Sequence, residues 1–229
     1  MPRIRLIAGP NGAGKTTLLK TLVKNKVPVG QYINPDDIAR HISLNSTLKR
    51  TNQELGIGQN SQDFSVEVER YLAVIMAQSI ATGLREDWLA YNLSLTYESV
   101  MSHKSHLDFV DKVIESGFEP YLYYICTTDP DINKARVAQR VESGGHPVPE
   151  DKILGRYHRS LSLLCEMARK CRRVYFFDNS SQRHLHFSEI TPDGYLDIFE
   201  KQFNQVEPTW FVEHLLKKWP REKVRIASL

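Results

Sequence analysis

Apolar positions along this chain follow two rhythms. Dense runs rich in β-branched and aromatic residues at 3–8, 29–34, 88–95, 120–127 and 173–178 predict strands. Between them, apolar residues three and four positions apart predict helices at 16–26, 36–43, 63–82, 104–116, 130–141 and 149–170. The 63–82 segment carries Val66, Val68, Leu72, Ile75, Met76 and Ile80 in this way. Local punctuation agrees: Gly117 suits a helix C-terminus, Pro130 a first helical position after Asp129, and Glu150-Asp151 an N-terminal turn. Strands alternating with helices predict an α/β fold, a mostly parallel five-stranded sheet between two helical layers. Ligands then bind at the carboxyl ends of the strands. The polar stretch 46–62, with Gly56 and Gly58, reads as a loop. Beyond Asp178, residues 184–187 and 195–199 flank the turn Thr191-Pro192-Asp193-Gly194 and predict a β-hairpin. The basic end 217–223 reads as a solvated tail. One main domain over 1–180 is expected, with 181–229 packed on it.

The first strand runs straight into Gly9-Pro10-Asn11-Gly12-Ala13-Gly14-Lys15-Thr16-Thr17, a complete G-x-x-x-x-G-K-[ST] phosphate-binding loop followed by a helix. Its glycines let backbone N–H groups close around a triphosphate. Lys15 reaches the β- and γ-phosphates, the Thr16 hydroxyl ligates Mg²⁺, and the helix N-terminus adds partial positive charge. ATP or GTP is therefore the expected ligand, and the fold class sharpens to a three-layer P-loop NTPase.

Bulk properties change this picture little. The 229 residues suit one α/β domain, and a net charge of +3 is weak for a dedicated nucleic-acid binder. Cys126, Cys165 and Cys171 form no C-x-x-C pair and suggest reduced thiols. No apolar stretch approaches the ~20 residues of a membrane span. The phosphate loop lies too near the start for a signal peptide, so a cytoplasmic location is expected. His184-x-His186 has a spacing that could ligate zinc, but alternation along a hairpin strand produces the same spacing.

The remaining motifs select among P-loop machines. No Asn-Lys-x-Asp base-reading motif is present, and no strand ends in Asp-Glu as a motor ATPase requires. Acids instead stand just past two strands: Asp36-Asp37 after Tyr32-Ile33-Asn34-Pro35, and Glu98 after residues 93–97. Such an acid can take a proton from an acceptor hydroxyl near the γ-phosphate. Asp36, nearer the strand, is assigned as the base and Asp37 as the helix cap. Farther on, Arg136, Arg140, Arg156 and Arg159 flank Gly144-Gly145, which describes two helices of a lid over about 136–160. Arginine suits this place because it stays charged and grips phosphate in a fork. Arg140 and Arg156 flank the linker and are the first choices. His146 either touches substrate or caps the lid.

The run Asn34-Pro35-Asp36-Asp37-Ile38-Ala39, the block Tyr97-Glu98-Ser99-Val100-Met101-Ser102-His103 and the lid Gly144-Gly145-His146-Pro147-Val148-Pro149-Glu150-Asp151-Lys152-Ile153, continuing as Arg156-Tyr157-His158-Arg159-Ser160-Leu161, resemble the zeta-toxin-like P-loop kinases. The resemblance extends from the first strand to Asn179 and implies ATP- and Mg²⁺-dependent phosphorylation of a sugar-nucleotide hydroxyl, such as one on UDP-N-acetylglucosamine. It implies Lys15, Asp36, Arg140 and Arg156 as the catalytic set. Asp36, Glu98, Thr128 and Arg159 then meet the acceptor, and an antitoxin protein is the partner it suggests. Many relatives carry Glu-Thr-Thr where this chain has Glu98-Ser99-Val100, a departure at the acceptor end. The alternatives are a polynucleotide-end kinase, which would need a basic groove, and a regulatory ATPase without an acceptor.

Overall fold

The predicted first strand forms as β1 (Arg3–Ala8) in the computed structural model, which describes residues 1–56, 63–143, 147–181 and 183–228. The glycine-rich loop follows it and opens into α1 (Lys15–Lys24). Then come β2 (Gln31–Ile33), α2 (Pro35–His41), α3 (Leu44–Glu54), α4 (Val66–Ala90) and β3 (Leu95–Ser99). The middle of the chain forms α5 (Ser105–Glu115), β4 (Glu119–Cys126), α6 (Pro130–Glu142), α7 (Glu150–Lys170) and β5 (Arg173–Asp178). The last part forms β6 (Leu185–Ile190), β7 (Leu196–Phe199), α8 (Glu200–Val206), α9 (Thr209–His214) and β8 (Val224–Ala227).

Among the described residues the strands form one sheet of eight, in the order β2-β3-β1-β4-β5-β6-β7-β8. The first five pair in parallel, as expected, with β1 between β3 and β4. The predicted hairpin does not stand apart. β6 pairs antiparallel with β5 and β7, so the sheet continues through it. The 217–223 segment, expected as a solvated tail, buries Trp219 in the core, and just beyond it β8 adds in parallel to β7. Its four residues are partly or fully exposed, so the segment carries almost no buried pattern to read. The Arg225 guanidinium holds it by bonding both carboxylate oxygens of Asp197.

Two more expectations are corrected. The strand predicted at 88–95 is displaced: Trp88 and Leu89 belong to the last turn of α4, and the strand begins at Leu95. Helix α4 buries Ala73, Ala77, Ala81 and Leu89 as one continuing stripe, which carries it past the apolar 88–89 pair. The segment expected as a loop over 46–62 is helical through Glu54, while 57–62 lie outside the described residues. Helix α3 buries none of its residues, so its helicity leaves no apolar stripe. Polar ties hold it instead: Asn45 donates its backbone N–H to Glu69, and Lys49 pairs with Asp63 at 2.7 Å.

Register decides which residues meet each helical layer. Leu6, Tyr97, Leu122 and Val174 stand level and belong to the larger core. α5 and α7 cover that core through Val110, Val113, Leu161 and Leu164, and α9 adds Trp210 and Phe211. One step along, Ile7, Glu98 and Tyr123 stand level. Ile7 and Tyr123 pack with Leu18, Leu19 and Leu22 of α1. Period-two alternation therefore delivers Glu98 to the phosphate-loop side of the sheet. Among the described residues no helix is long and apolar enough to cross a membrane.

The C-terminal helix is tied to the site end of the sheet. Trp210 donates its indole N–H to Asp178 Oδ2 at 3.0 Å, with Asp178 only 1% exposed. Trp210→Phe leaves that carboxylate oxygen without its donor and is expected to lower unfolding free energy by about 2 kcal/mol. A urea midpoint unchanged from wild type would remove this tie from the account.

Candidate nucleotide and acceptor site

The phosphate loop is shaped by three positive-φ glycines, Gly9, Gly12 and Gly14, and held by two asparagines. A Cβ on Gly12 (φ 75°) would stand 2.6 Å from the Asn133 carbonyl oxygen. One on Gly14 (φ 98°) would stand 2.4 Å from Asn179 Nδ2. These close approaches make the anchors possible. Asn133 Nδ2 donates to Asn11 O at 2.6 Å, and Asn179 Nδ2 donates to Ala13 O at 2.8 Å. Thr127 donates its hydroxyl to Asn133 Oδ1, and Tyr157 donates to the Thr127 carbonyl at 2.7 Å. The ends of β4, β5 and the start of α6 thus fix the loop. Sequence reasoning missed Asn133 and Asn179 as site residues. A polar residue early in the helix after β4 was a signal, but its partner lies 122 positions away.

Lys15 is folded over its own loop, donating to Gly9 O at 2.9 Å and Pro10 O at 3.0 Å. Burial lowers its pKa below the ordinary lysine value; Glu98 and Asp36 oppose that shift, while Arg140 and Arg156 add to it. Thr16 donates its hydroxyl to Glu98 Oε2 at 3.0 Å, and Tyr32 donates to Glu98 Oε1 at 2.8 Å. Burial and the adjacent carboxylate raise the Tyr32 pKa, so it remains a donor. Thr16 Oγ1 and the Glu98 carboxylate are the hard oxygen donors that Mg²⁺ takes.

Asn34 caps α2: its Oδ1 accepts the backbone N–H of Asp36 at 3.0 Å. Asp37, expected as that cap, instead pairs with Arg40 at 3.1 Å. Asp36 is thereby left to line the cleft beside the loop. This cleft, about 830 Å³, runs from the phosphate loop past α2 and α4 to the end of β3.

Lys15, Thr16, Asp36, Glu98, Arg140 and Arg156 all line it. Arg156 Nη1 lies 3.4 Å from Asn11 Oδ1, directly over the loop. Arg136 also lines the cleft while donating to Asn179 O at 2.6 Å and Ser181 O at 3.1 Å. Two expected residues are not brought in. Thr128 donates its backbone N–H to Ser180 Oγ at 2.8 Å and is absent from the described cleft lining. Arg159 is likewise absent there, its guanidinium lying against Gly155 on the same helix. Gly144, Gly145 and His146, the expected lid linker, lie outside the described residues. His184 and His186 pack their rings on Phe177 at 5.9 and 4.9 Å.

A family profile described as AAA domain matches residues 4–164, from β1 into α7. The chain belongs to the AAA-domain family. An uncharacterized protein of Haemophilus influenzae (strain Rd) is 32% identical over 149 residues, 65% of this chain and 88% of that protein. A solved chain from the PezAT chromosomal toxin-antitoxin system of Streptococcus pneumoniae aligns with a TM-score of 0.58 at 16% identity, covering 97% of this chain and 82% of that one. A chain of the AvrRxo1-ORF1:AvrRxo1-ORF2 complex, solved with ATP, aligns with a TM-score of 0.60 at 14% identity, covering 90% of this chain. This AAA-domain protein spans only 63% of that AvrRxo1 chain. Identities this low establish a shared fold, and at that level the zeta-toxin-like resemblance holds.

Two outcomes follow for the loop. Asn133→Ala removes both bonds of a residue with no exposure and is expected to lower stability by about 2 kcal/mol and ATP affinity roughly tenfold. Calorimetry finding full ATP affinity in that variant would show the loop is held otherwise. For Lys15, the free protein's lowered pKa must rise when a triphosphate arrives. Affinity is therefore greatest below the free-protein pKa and falls as pH climbs toward the ordinary 10.5. Binding within that window takes up a proton, which titration in buffers of different ionisation enthalpy reads directly; equal apparent enthalpies in all buffers would contradict it.

Proposed function

We propose that this protein is an ATP-dependent phosphotransferase with a hydroxyl acceptor, Asp36 acting as general base. The observation that carries the reading is one shared cleft. It holds Lys15 and Thr16 of the phosphate loop, the carboxylate of Asp36 and the arginines Arg140 and Arg156. ATP would supply the phosphoryl group, and Mg²⁺ held at the Thr16 hydroxyl and Glu98 carboxylate would supply positive charge to its phosphates. Glu98 orients the Thr16 hydroxyl, and Tyr32 fixes Glu98 from its other oxygen. Lys15 and the two arginines place positive charge where the transferring oxygens gain negative charge. Asp36, freed from capping by Asn34, accepts the acceptor's proton at its carboxylate.

The solved relatives support a more specific version. One belongs to a toxin-antitoxin system and another was solved with ATP. With the sequence motifs, they favour a sugar nucleotide such as UDP-N-acetylglucosamine as acceptor, an antitoxin protein as partner and the cytoplasm as the place of action. Asp36, Glu98, Arg140 and Arg156 are assigned to this reaction; Thr128 and Arg159 would join it only through a change of conformation.

The test is ³¹P NMR of the protein with Mg-ATP and UDP-N-acetylglucosamine. A new phosphomonoester signal with ADP is expected. Asp36→Asn should retain ATP binding and slow transfer about 10²- to 10⁴-fold. Normal turnover by Asp36→Asn would remove the base assignment. ADP with only free phosphate, across a panel of hydroxyl acceptors, would favour an ATPase.

A further inference from the structure

Helix α4 presents a continuous stripe to the cleft: Arg70, Val74, Gln78, Ala81 and Arg85, spaced three and four apart. Its two guanidiniums differ in setting. Arg70 is exposed, whereas Arg85 is partly buried and clamped. The Arg85 guanidinium carbon lies 4.9 Å from the Tyr97 ring centre and 4.8 Å from that of Phe109. Those two rings meet edge to face at 5.6 Å, so the cation is held against two aromatic surfaces.

Its hydrogen-bonding capacity is mostly unused. Nη2 donates to Thr82 Oγ1 at 3.2 Å, Nη1 donates to no described residue, and Nε is buried without a partner. Among the described residues no carboxylate pairs with Arg85, whereas Arg40, Arg50, Arg173 and Arg225 each have one. The Tyr97 hydroxyl, in a residue 1% exposed, is also unpartnered. Of the cleft carboxylates, Glu98 is committed to Thr16 and Tyr32. His106, which also lines the cleft, shares a 2.9 Å hydrogen bond with Ser99 Oγ. Burial and the Arg85 charge lower the His106 pKa to about 4, so it is neutral near pH 7 and adds no second cation.

We propose that Arg85 is the anion-binding residue of the acceptor half of the cleft, gripping a phosphate group of the acceptor through its free Nη1 edge. The inference rests on the reading of this cleft as a kinase site, since it divides the cleft into loop and acceptor halves. An arginine already fixed between two rings loses little freedom on binding, and its planar fork matches a phosphate as a lysine ammonium does not. Arg85 thereby makes the protein selective for phosphorylated acceptors over neutral sugars. Lys15, Arg140 and Arg156 serve the phosphate chain of ATP; Arg85 serves the second anion.

The test uses the full chain saturated with Mg²⁺ and a non-hydrolysable ATP analogue, so that the loop is filled. Inorganic phosphate is titrated in at constant ionic strength while arginine Nε–H signals are followed by ¹⁵N NMR. The Arg85 signal, identified by its loss in Arg85→Lys, should shift saturably. Phosphate affinity, read from the remaining signals, should fall at least tenfold in Arg85→Gln. Arg85→Lys keeps charge and stem, guards against a folding defect in the Gln variant, and should also weaken phosphate severalfold. Wild-type phosphate affinity in either variant would overturn the proposal, as would an unmoved Arg85 signal or loss of binding in Arg70→Gln alone. No turnover enters this measurement. An intact phosphate site without kinase activity would count against the proposed reaction alone, and phosphorylation of UDP-N-acetylglucosamine with an indifferent Arg85 would count against this inference alone.

Discussion

A half-buried ammonium at the start of α1, just past the phosphate loop, is the constraint on which the site depends. Lys15 is half-buried and rests on two carbonyls of its own loop, and the nearby Glu98 and Asp36 carboxylates partly offset the cost of that burial. Both acids stand on one side of β1: Glu98 lies one residue before the end of β3, and Asp36 opens α2 after β2. The parallel order β2-β3-β1 brings two distant carboxylates beside one lysine. The same order makes the lysine available to a triphosphate and Asp36 available to an acceptor.

The other side of β1 supplies rigidity. Thr127 just past β4, Asn133 in the first turns of α6 and Asn179 just past β5 stitch the loop to the carboxyl end of the sheet, and Tyr157 of α7 reaches back to the same cluster. Acids lie to one side of the loop and neutral anchors to the other. The helices after the anchors, α6 and α7, then carry Arg136, Arg140 and Arg156 over the cleft. Positive charge therefore reaches the cleft from α6 and α7, and the Asp36 and Glu98 carboxylates reach it from the β2 and β3 side.

Much of the fold was legible because its inner strands are buried on both faces. Arg3–Ala8 and Arg173–Asp178 are dense apolar runs that read as strands without ambiguity. Residues 88–95 misled for the same reason: an apolar helix end and an apolar strand start look alike over eight positions, and only the alanine stripe of α4 separates them. α3 and β8 bury almost nothing, so neither leaves an apolar imprint. Of the site, the loop and the two acids at strand ends were visible because each is a local spacing, although Glu98 stands within β3 rather than past it. The exchange of roles between Asn34 and Asp37 was not, since either side chain could cap α2 and only its direction decides.

By itself the sequence determined the phosphate loop, its strand-loop-helix setting and an alternating α/β chain, because these rest on contacts between residues close in sequence. Tertiary structure alone decided that Glu98 meets Thr16 and Tyr32, and that Asn133 and Asn179 hold the loop. It also set Arg85 between Tyr97 and Phe109, left Thr128 and Arg159 outside the cleft, and let the sheet run on to eight strands. The physical reason is common to all of these. Strand order and register choose which of many equally polar side chains arrive at one point, and no periodicity along the chain records that choice.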